Sequence, residues 1–288
     1  TLGVPRVIAE FPPAVKAGAL PTAGVPAMRS LLPLLFAVLS APVAAEVVRK
    51  PVSYSVDGVE MASTLVYDAS VDTPRPALVL VPNWMGANAA AIDKAAEIAG
   101  SRYVVLVADV YGKDVRPADA GEAGKAAQGM YADRPALRKR VAAALEQLQA
   151  AASSAPIAPG QFGAIGFCFG GATVLELARS GADIAGVVSF HGNLSTSLPA
   201  EAGKVQASVL VLNGADDTYV PAAQIDAFLK EMTMAGVDWQ FVNYAGAVHC
   251  FAEPDANSGP GCLYHPRSAR RAYAAMDAFF AERFAAAD

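Results

Sequence analysis

Residues 161–171 read QFGAIGFCFGG, an apolar run that ends in a cysteine framed by glycines. QFGAIGF is typical of a buried strand, and GGATVLELARSG is typical of a helix that ends at Gly181. Gly166 and Gly170 each lie two residues from Cys168, which is the spacing of a nucleophile elbow between a strand and a helix. The helix N-terminus favours a thiolate there. The stretch therefore predicts a nucleophilic cysteine; the alternative is a buried cysteine at a tight turn.

Strand-like and helix-like segments alternate on both sides of this stretch. Continuous apolar runs predict further buried strands at 77–82, 103–110, 184–190, 207–214 and 237–244. Helical spacing predicts helices at 89–99, 133–151, 222–235 and 266–286. The alternation predicts an α/β fold with a mostly parallel central sheet and helices on both faces. Alternating residues around Asp57-Gly58 add an antiparallel hairpin at the N-terminal edge.

The composition excludes several classes of partner. The chain has 288 residues, a hydrophobic fraction of 54% and a net charge of −5. It has no basic patch interleaved with aromatic residues, so nucleic acid is not an expected partner. No cluster of His, Cys and carboxylates has metal-ligand spacing, and no metal or organic cofactor is expected.

The N-terminal region differs from the rest. Met28 to Ala45 reads MRSLLPLLFAVLSAPVAA, with a positive charge, a short apolar run and small residues at the end. This pattern predicts a secretory signal peptide cleaved between Ala45 and Glu46; the alternative is an apolar tail. The apolar run is too short for a membrane span. We expect an extension plus signal peptide over 1–45, a single domain over 46–288, and an exported protein, periplasmic or secreted.

A cysteine nucleophile needs a base and a group that orients the base. The chain has three histidines, and His249 lies in the loop after the last predicted strand. In α/β-hydrolases the order along the chain is nucleophile, acid, histidine, which favours His249 as the base. Asp216 and Asp217 both follow a buried strand, and spacing alone does not choose between them.

Three motifs resemble those of the dienelactone hydrolase family of α/β-hydrolases. They are GFCFGG at 166–171, GADDTYVP at 214–221 and GAVHCF at 246–251, and the similarity covers nearly all of 50–285. The resemblance implies the α/β-hydrolase fold and a Cys-His-Asp triad in which the second motif selects Asp217. It also implies an oxyanion hole made by the backbone N–H groups of Trp84 and Phe169.

Two positions depart from the family pattern. Asn83 stands where close relatives of dienelactone hydrolases carry a glutamate that contacts the resting thiol. Glu253 stands where they carry an arginine that holds the substrate carboxylate. A carboxylate facing a carboxylate is repulsive, so we expect poor activity on substrates with a negative charge near the scissile bond. Tyr111 and His191 are candidates for the pocket wall, and a structural role is the alternative for both.

The resemblance implies a hydrolase that acts on a small-molecule ester or lactone through a thioester acyl-enzyme. Two other classes stay open: a non-catalytic small-molecule-binding protein on a hydrolase scaffold, and a thiol redox protein that uses Cys168. Cys250 and Cys262 flank a short loop. In an exported protein they could form a disulfide or remain two free thiols, because spacing does not define pairing.

Overall fold

Residues 45–285 are the part of the chain that the computed structural model describes, and eight segments within them are β-strands of one sheet. The strands are β1 (Val47–Val56), β2 (Val59–Asp68), β3 (Arg75–Val81), β4 (Val104–Val107), β5 (Ile157–Phe167), β6 (Gly186–Phe190), β7 (Ser208–Gly214) and β8 (Trp239–Tyr244). Their order is β1-β2-β4-β3-β5-β6-β7-β8. The pairs from β4 to β8 are parallel, which confirms the predicted sheet.

The first two strands form the predicted hairpin at the edge of the sheet. β1 and β2 pair antiparallel, with Val56 opposite Val59. Asp57 and Gly58 make the two-residue turn with φ values of 48° and 79°, and a turn with two positive φ angles matches the twist of paired strands. β2 pairs antiparallel with β4, so this hairpin extends the parallel part of the sheet.

Six α-helices are present in the described residues. They are α1 (Ala89–Ala99), α2 (Ala120–Ala132), α3 (Arg134–Ala150), α4 (Phe169–Arg179), α5 (Ala222–Met234) and α6 (Pro266–Ala285). The sequence predicts five of these helices. The bounds of α1 are the expected ones, and those of α3, α4, α5 and α6 differ from the expected bounds by at most two residues. α2 was not predicted, and β4 ends three residues earlier than expected. Among residues 45–285, none of the helices is both long enough and apolar enough to cross a membrane.

The core lies on both faces of the sheet. Alternate residues of β3 point to opposite sides, so that Val79 joins a cluster with the apolar residues of α3 and α4, whereas Leu80 joins a cluster with those of α1 and α6. Both residues are completely buried. The strands therefore read as continuous apolar runs in the sequence.

The two strands that follow β3 along the chain are added on opposite sides of it. β4 lies on one side of β3 and β5 lies on the other. In open α/β sheets such a switch point opens a crevice at the carboxyl ends of the strands, where binding and catalytic residues gather. The predicted signal peptide lies outside the described residues except for Ala45, and the division at residue 46 stays a prediction.

Candidate active site

Cys168 occupies the turn between β5 and α4 with a backbone φ of 52°. A non-glycine residue in this left-handed region is strained by roughly 1–3 kcal/mol. A Cβ built on Gly166 would lie 2.1 Å from the Gly170 carbonyl oxygen, and one built on Gly170 would lie 1.9 Å from the Val81 carbonyl oxygen. Neither position can accept a side chain, and the second distance shows how closely the turn approaches the end of β3.

The structure brings Cys168, His249 and Asp217 together from the loops after β5, β8 and β7. His249 Nε2 lies 3.1 Å from Cys168 Sγ, and His249 Nδ1 lies 2.7 Å from Asp217 Oδ2. Asp217 is buried, and its other carboxylate oxygen accepts a hydrogen bond from the Tyr219 amide at 2.8 Å. Asp216 is exposed. The arrangement has the geometry of a nucleophile, a base and an orienting carboxylate.

Electrostatics at His249 favour a charged imidazole. Burial alone would lower the pKa of His249, but its hydrogen bonds to Asp217 and to Cys168, together with their negative charges, outweigh burial and raise the pKa to about 10. An imidazole with this pKa keeps its proton at neutral pH. The contacts therefore place a positive charge 3.1 Å from the Cys168 sulfur.

Two backbone amides near the turn are available to a ligand. Within residues 45–285, neither the Trp84 nor the Phe169 N–H donates to a protein acceptor. Phe169 is the first residue of α4, where an N–H has no partner in the helix. Trp84 follows β3, whose end touches Gly170. Free, fixed N–H groups of this kind are what an oxyanion hole requires.

Glu253 is not the free negative charge that its position suggested. It is 4% exposed, and its Oε2 accepts hydrogen bonds from Asn83 Nδ2 at 2.6 Å and from Lys94 Nζ at 3.0 Å. Lys94 lies on α1, and the ammonium neutralises the carboxylate. The expected repulsion between Glu253 and an acidic substrate therefore loses its basis.

His191 lies behind His249 and does not line an open pocket. It is completely buried, its ring centroid is 5.1 Å from that of His249, and within the described residues neither ring nitrogen has a hydrogen-bond partner. Burial, followed by the charges of His249 and Lys94, lowers the pKa of His191 well below its ordinary value. His191 is therefore a neutral ring that packs against the base.

A comparison with models of protein families identifies the family of this chain. Residues 61–284 match the model of the dienelactone hydrolase family. The chain belongs to this family. This result confirms the resemblance and, with the solved structures below, the α/β-hydrolase fold.

Individual relatives and a solved structure agree with membership of this family. The chain is 36% identical to a dienelactone hydrolase-like promiscuous phosphotriesterase from metagenomic libraries, whose crystal structure superposes with a TM-score of 0.76 and covers 83% of this chain and 99% of that one. It is 36% identical over 157 residues to an uncharacterized protein of Caenorhabditis elegans, which is 52% of this chain and 95% of the relative. A Synechocystis protein named "Putative carboxymethylenebutenolidase" is 27% identical over 190 residues, 61% of this chain and 75% of the relative. Ester and lactone hydrolysis is the activity that these likenesses support.

Two tyrosines pack against Phe169, the residue that follows Cys168. Tyr111 is buried and donates its hydroxyl to the Trp84 carbonyl oxygen at 3.0 Å, so it supports the loop after β3 from within. Tyr131 follows no sequence motif; it lies on the unpredicted helix α2 and packs its ring 5.5 Å from that of Phe169. Burial and then the charge of Cys168 raise the pKa of Tyr131, so its hydroxyl stays protonated. Tyr131 is a candidate hydrogen-bond donor beside the nucleophile.

A disulfide holds the segment that carries His249. Cys250 and Cys262 are bonded, with Cα atoms 5.0 Å apart, and the Leu263 amide donates to the His249 carbonyl oxygen at 3.1 Å. Closing a loop of this size stabilises a fold by about 3 kcal/mol. All three cysteines lie in the described residues, and Cys168 is the free one. A structural disulfide is typical of proteins from oxidising compartments.

The residues from 45 to 285 contain no group of three or more His, Cys, Asp or Glu side chains arranged to hold a metal ion. A cavity of about 330 Å³ lies beside α1, and its walls include Asn83, Lys94 and Glu253. Neither Cys168 nor His249 lines this cavity. The cavity therefore borders the loop after β3 on the side of α1.

Proposed function

We propose that this protein hydrolyses carboxylic esters or lactones with Cys168 as the nucleophile, His249 as the base and Asp217 as the group that orients the base. One observation carries the proposal: two in-line contacts of 3.1 Å and 2.7 Å join the three side chains at a strained turn between strand and helix. Membership of the dienelactone hydrolase family and the name of the Synechocystis relative support the substrate class.

In the first half of the reaction the Cys168 thiolate attacks the carbonyl carbon. The carbonyl oxygen becomes an oxyanion, which accepts hydrogen bonds from the Trp84 and Phe169 amides. The bond to the leaving oxygen then breaks, and the Nε2 proton of His249 moves to that oxygen. An alcohol leaves, or the ring of a lactone opens, and a thioester remains on Cys168.

In the second half His249 is neutral and takes a proton from water. The resulting hydroxide attacks the thioester carbonyl, and the same two amides stabilise the second oxyanion. The carbon–sulfur bond breaks, the carboxylic acid is released, and Cys168 returns as a thiolate beside a protonated His249. Asp217 keeps the imidazole in one orientation through both halves.

The two other functional classes make different demands on the site. A thiol redox protein of the dithiol kind needs a second thiol that can reach Cys168, but Cys250 and Cys262 are bonded to each other. A binding protein without catalysis needs no imidazole aligned with the thiol and no free amides beside it. The hydrolase uses each of these features.

Acyl-enzyme formation tests the proposal directly. Mixing the protein with excess 4-nitrophenyl acetate and quenching with acid within milliseconds should yield a burst of nitrophenol and a protein that carries one acetyl group. Peptide mapping should place that group on Cys168 because the thioester survives acid. Protein incubated without ester is the control. Binding without turnover would favour the binding-protein class, and an acetyl group on another residue would refute the assigned nucleophile.

Substrate charge gives a second prediction. With Glu253 neutralised by Lys94, no arginine stands at the position that would clamp a carboxylate, and that lost charge-assisted hydrogen bond is worth about 1.5–3 kcal/mol. Neither a clamp nor a repulsion then acts on the substrate carboxylate, so we expect kcat/KM for a methyl ester and for the matched free acid to agree within roughly fivefold. Rates are to be divided by those of hydroxide-catalysed hydrolysis for the same pair. A preference for the free acid would require another cation near the substrate.

A further inference from the structure

Lys94 and Glu253 form a buried ion pair that none of the reaction steps uses. The Lys94 side chain is 16% exposed and that of Glu253 is 6% exposed, and their charged atoms are 3.0 Å apart. Removing two charges from water is costly, and hydrophobic residues of the same volume often stabilise a fold better. A buried pair beside the loop that carries Trp84 is therefore better explained by what it holds in place.

In the hydrogen bonds that lead from this pair to the loop, the donor and the acceptor of each bond are fixed by Glu253. A carboxylate only accepts, so Glu253 requires Asn83 to present its Nδ2 group, at 2.6 Å. Asn83 Oδ1 then faces the other way and accepts from the Met85 amide at 3.0 Å. The backbone oxygen of Asn83 accepts from the Gly86 amide at 2.9 Å. These contacts fix the turn that surrounds the Trp84 peptide.

The same turn is held from its other side. The Tyr111 hydroxyl donates to the Trp84 carbonyl oxygen at 3.0 Å. A Cβ at Gly86 would come within 3.1 Å of the Tyr111 ring, and Gly86 has a φ of 73°. The peptide on each side of Trp84 is thus anchored, and the Trp84 N–H is left without a protein acceptor among the described residues. An oxyanion donor must be fixed in this way before the reaction, because reorganisation during the reaction lowers its value.

From these contacts we infer that Lys94 and Glu253 are positioning residues, which act through Asn83 to hold the Trp84 amide where the oxyanion forms. The inference rests on the proposed function, in which that amide is an oxyanion donor. Lys94 also neutralises Glu253, because an unpaired carboxylate close to the oxyanion would repel it.

Exchanging the two charges tests the direction of the network. The double variant Lys94→Glu/Glu253→Lys keeps an ion pair but presents a donor to Asn83. The Asn83 amide must then turn, and its Nδ2 faces the Met85 N–H, donor against donor. We expect kcat/KM for 4-nitrophenyl acetate to fall roughly 30- to 300-fold, since losing an oxyanion donor outright costs about 100- to 1,000-fold and misplacing one costs less. The melting temperature should stay within a few degrees of the wild-type value.

Alkylation by iodoacetamide separates this role from a merely structural one. That reaction needs the Cys168 thiolate and forms no oxyanion, so its rate in the double variant should stay within about twofold of the wild-type rate. Adding Asn83→Asp supplies acceptors for both the new donor and the Met85 amide, and should recover about tenfold in kcat/KM. Asp93→Asn is the matched control. Asp93 immediately precedes Lys94 on α1 and forms an exposed ion pair with Arg49, and breaking that pair should change neither rate.

Several results would overturn the inference. Wild-type kcat/KM in the double variant would show that the pair positions nothing. Equal losses of ester turnover and alkylation would mean that it acts through His249. If the double variant does not fold, ester turnover and alkylation by iodoacetamide are measured for Lys94→Gln instead. A loss of less than about threefold in kcat/KM for this variant overturns the inference. Failure of the proposed function appears separately, as ester turnover that survives Cys168→Ala in a protein whose network is intact.

Discussion

Replacing Cys168 with alanine should abolish ester hydrolysis and leave the fold intact. The substitution removes the proposed nucleophilic atom, and catalytic groups that act as a unit lose most of their effect together, so we expect kcat to fall by about 10⁴-fold or more. The side chain is partly exposed and fills no core position, so unfolding should occur at a similar temperature. Initial rates with 4-nitrophenyl acetate and thermal denaturation followed by circular dichroism measure the two effects.

Cys168→Ser is the matched control for this prediction. Serine keeps a group of similar size at the elbow, but its hydroxyl ionises far less readily than a thiol. We expect the serine variant to lie near the alanine variant. Iodoacetamide added to unreduced wild-type protein should attach one group, on Cys168, because Cys250 and Cys262 are bonded. More than about 1% of wild-type activity in the alanine variant would place the nucleophile elsewhere.

The fold was accessible from the sequence because its strands are buried on both faces. Apolar runs such as 77–82 and 207–214 have no other interpretation in a chain where helices alternate with them. α2 escaped prediction because its sequence, AGEAGKAAQGMYA, contains three glycines and few large apolar residues. Its beginning depends on the Asp119 side chain, which caps the Glu122 amide, and on packing against the sheet rather than on local propensity.

The candidate triad was accessible for a different reason. The carboxyl ends of parallel strands meet at one edge of the sheet, so residues that follow β5, β7 and β8 converge wherever the strands are correctly identified. The pair of Lys94 and Glu253 follows no such rule, because 159 positions separate its members and only tertiary packing joins them. One signal was present: Lys94 lies three residues after Ala91 and four before Ile98, on the buried stripe of α1. A lysine on an apolar stripe needs a buried partner.

Replacing His249 with alanine should lower kcat/KM by about 10³- to 10⁴-fold and change how the reactivity of Cys168 depends on pH. In the wild type the hydrogen bonds to Asp217 and Cys168 outweigh burial and raise the pKa of His249 to about 10, so a positively charged imidazole stays beside the Cys168 sulfur throughout the neutral range. A thiol without a cationic partner ionises near pH 8.5. At pH 7 we therefore expect iodoacetamide to alkylate the wild type roughly 10- to 30-fold faster than the variant.

The sign of the pH effect decides between a charged pair and a neutral thiol with a neutral base. As the pH rises towards 10, thiols ionise without help and His249 loses its proton, so the wild-type advantage in alkylation should shrink to about twofold or less. An advantage that is constant from pH 6 to pH 10 would contradict the charged pair. Asp217→Asn should lose part of the advantage at pH 7, because it replaces the charged acceptor of the 2.7 Å hydrogen bond from His249 with a neutral amide, which stabilises the imidazolium less. Asp216→Asn, at the exposed neighbouring position, is the control and should retain the whole advantage in alkylation. Equal losses in the two variants would mean that the net charge of this loop, rather than the bond to His249, sets the reactivity of Cys168.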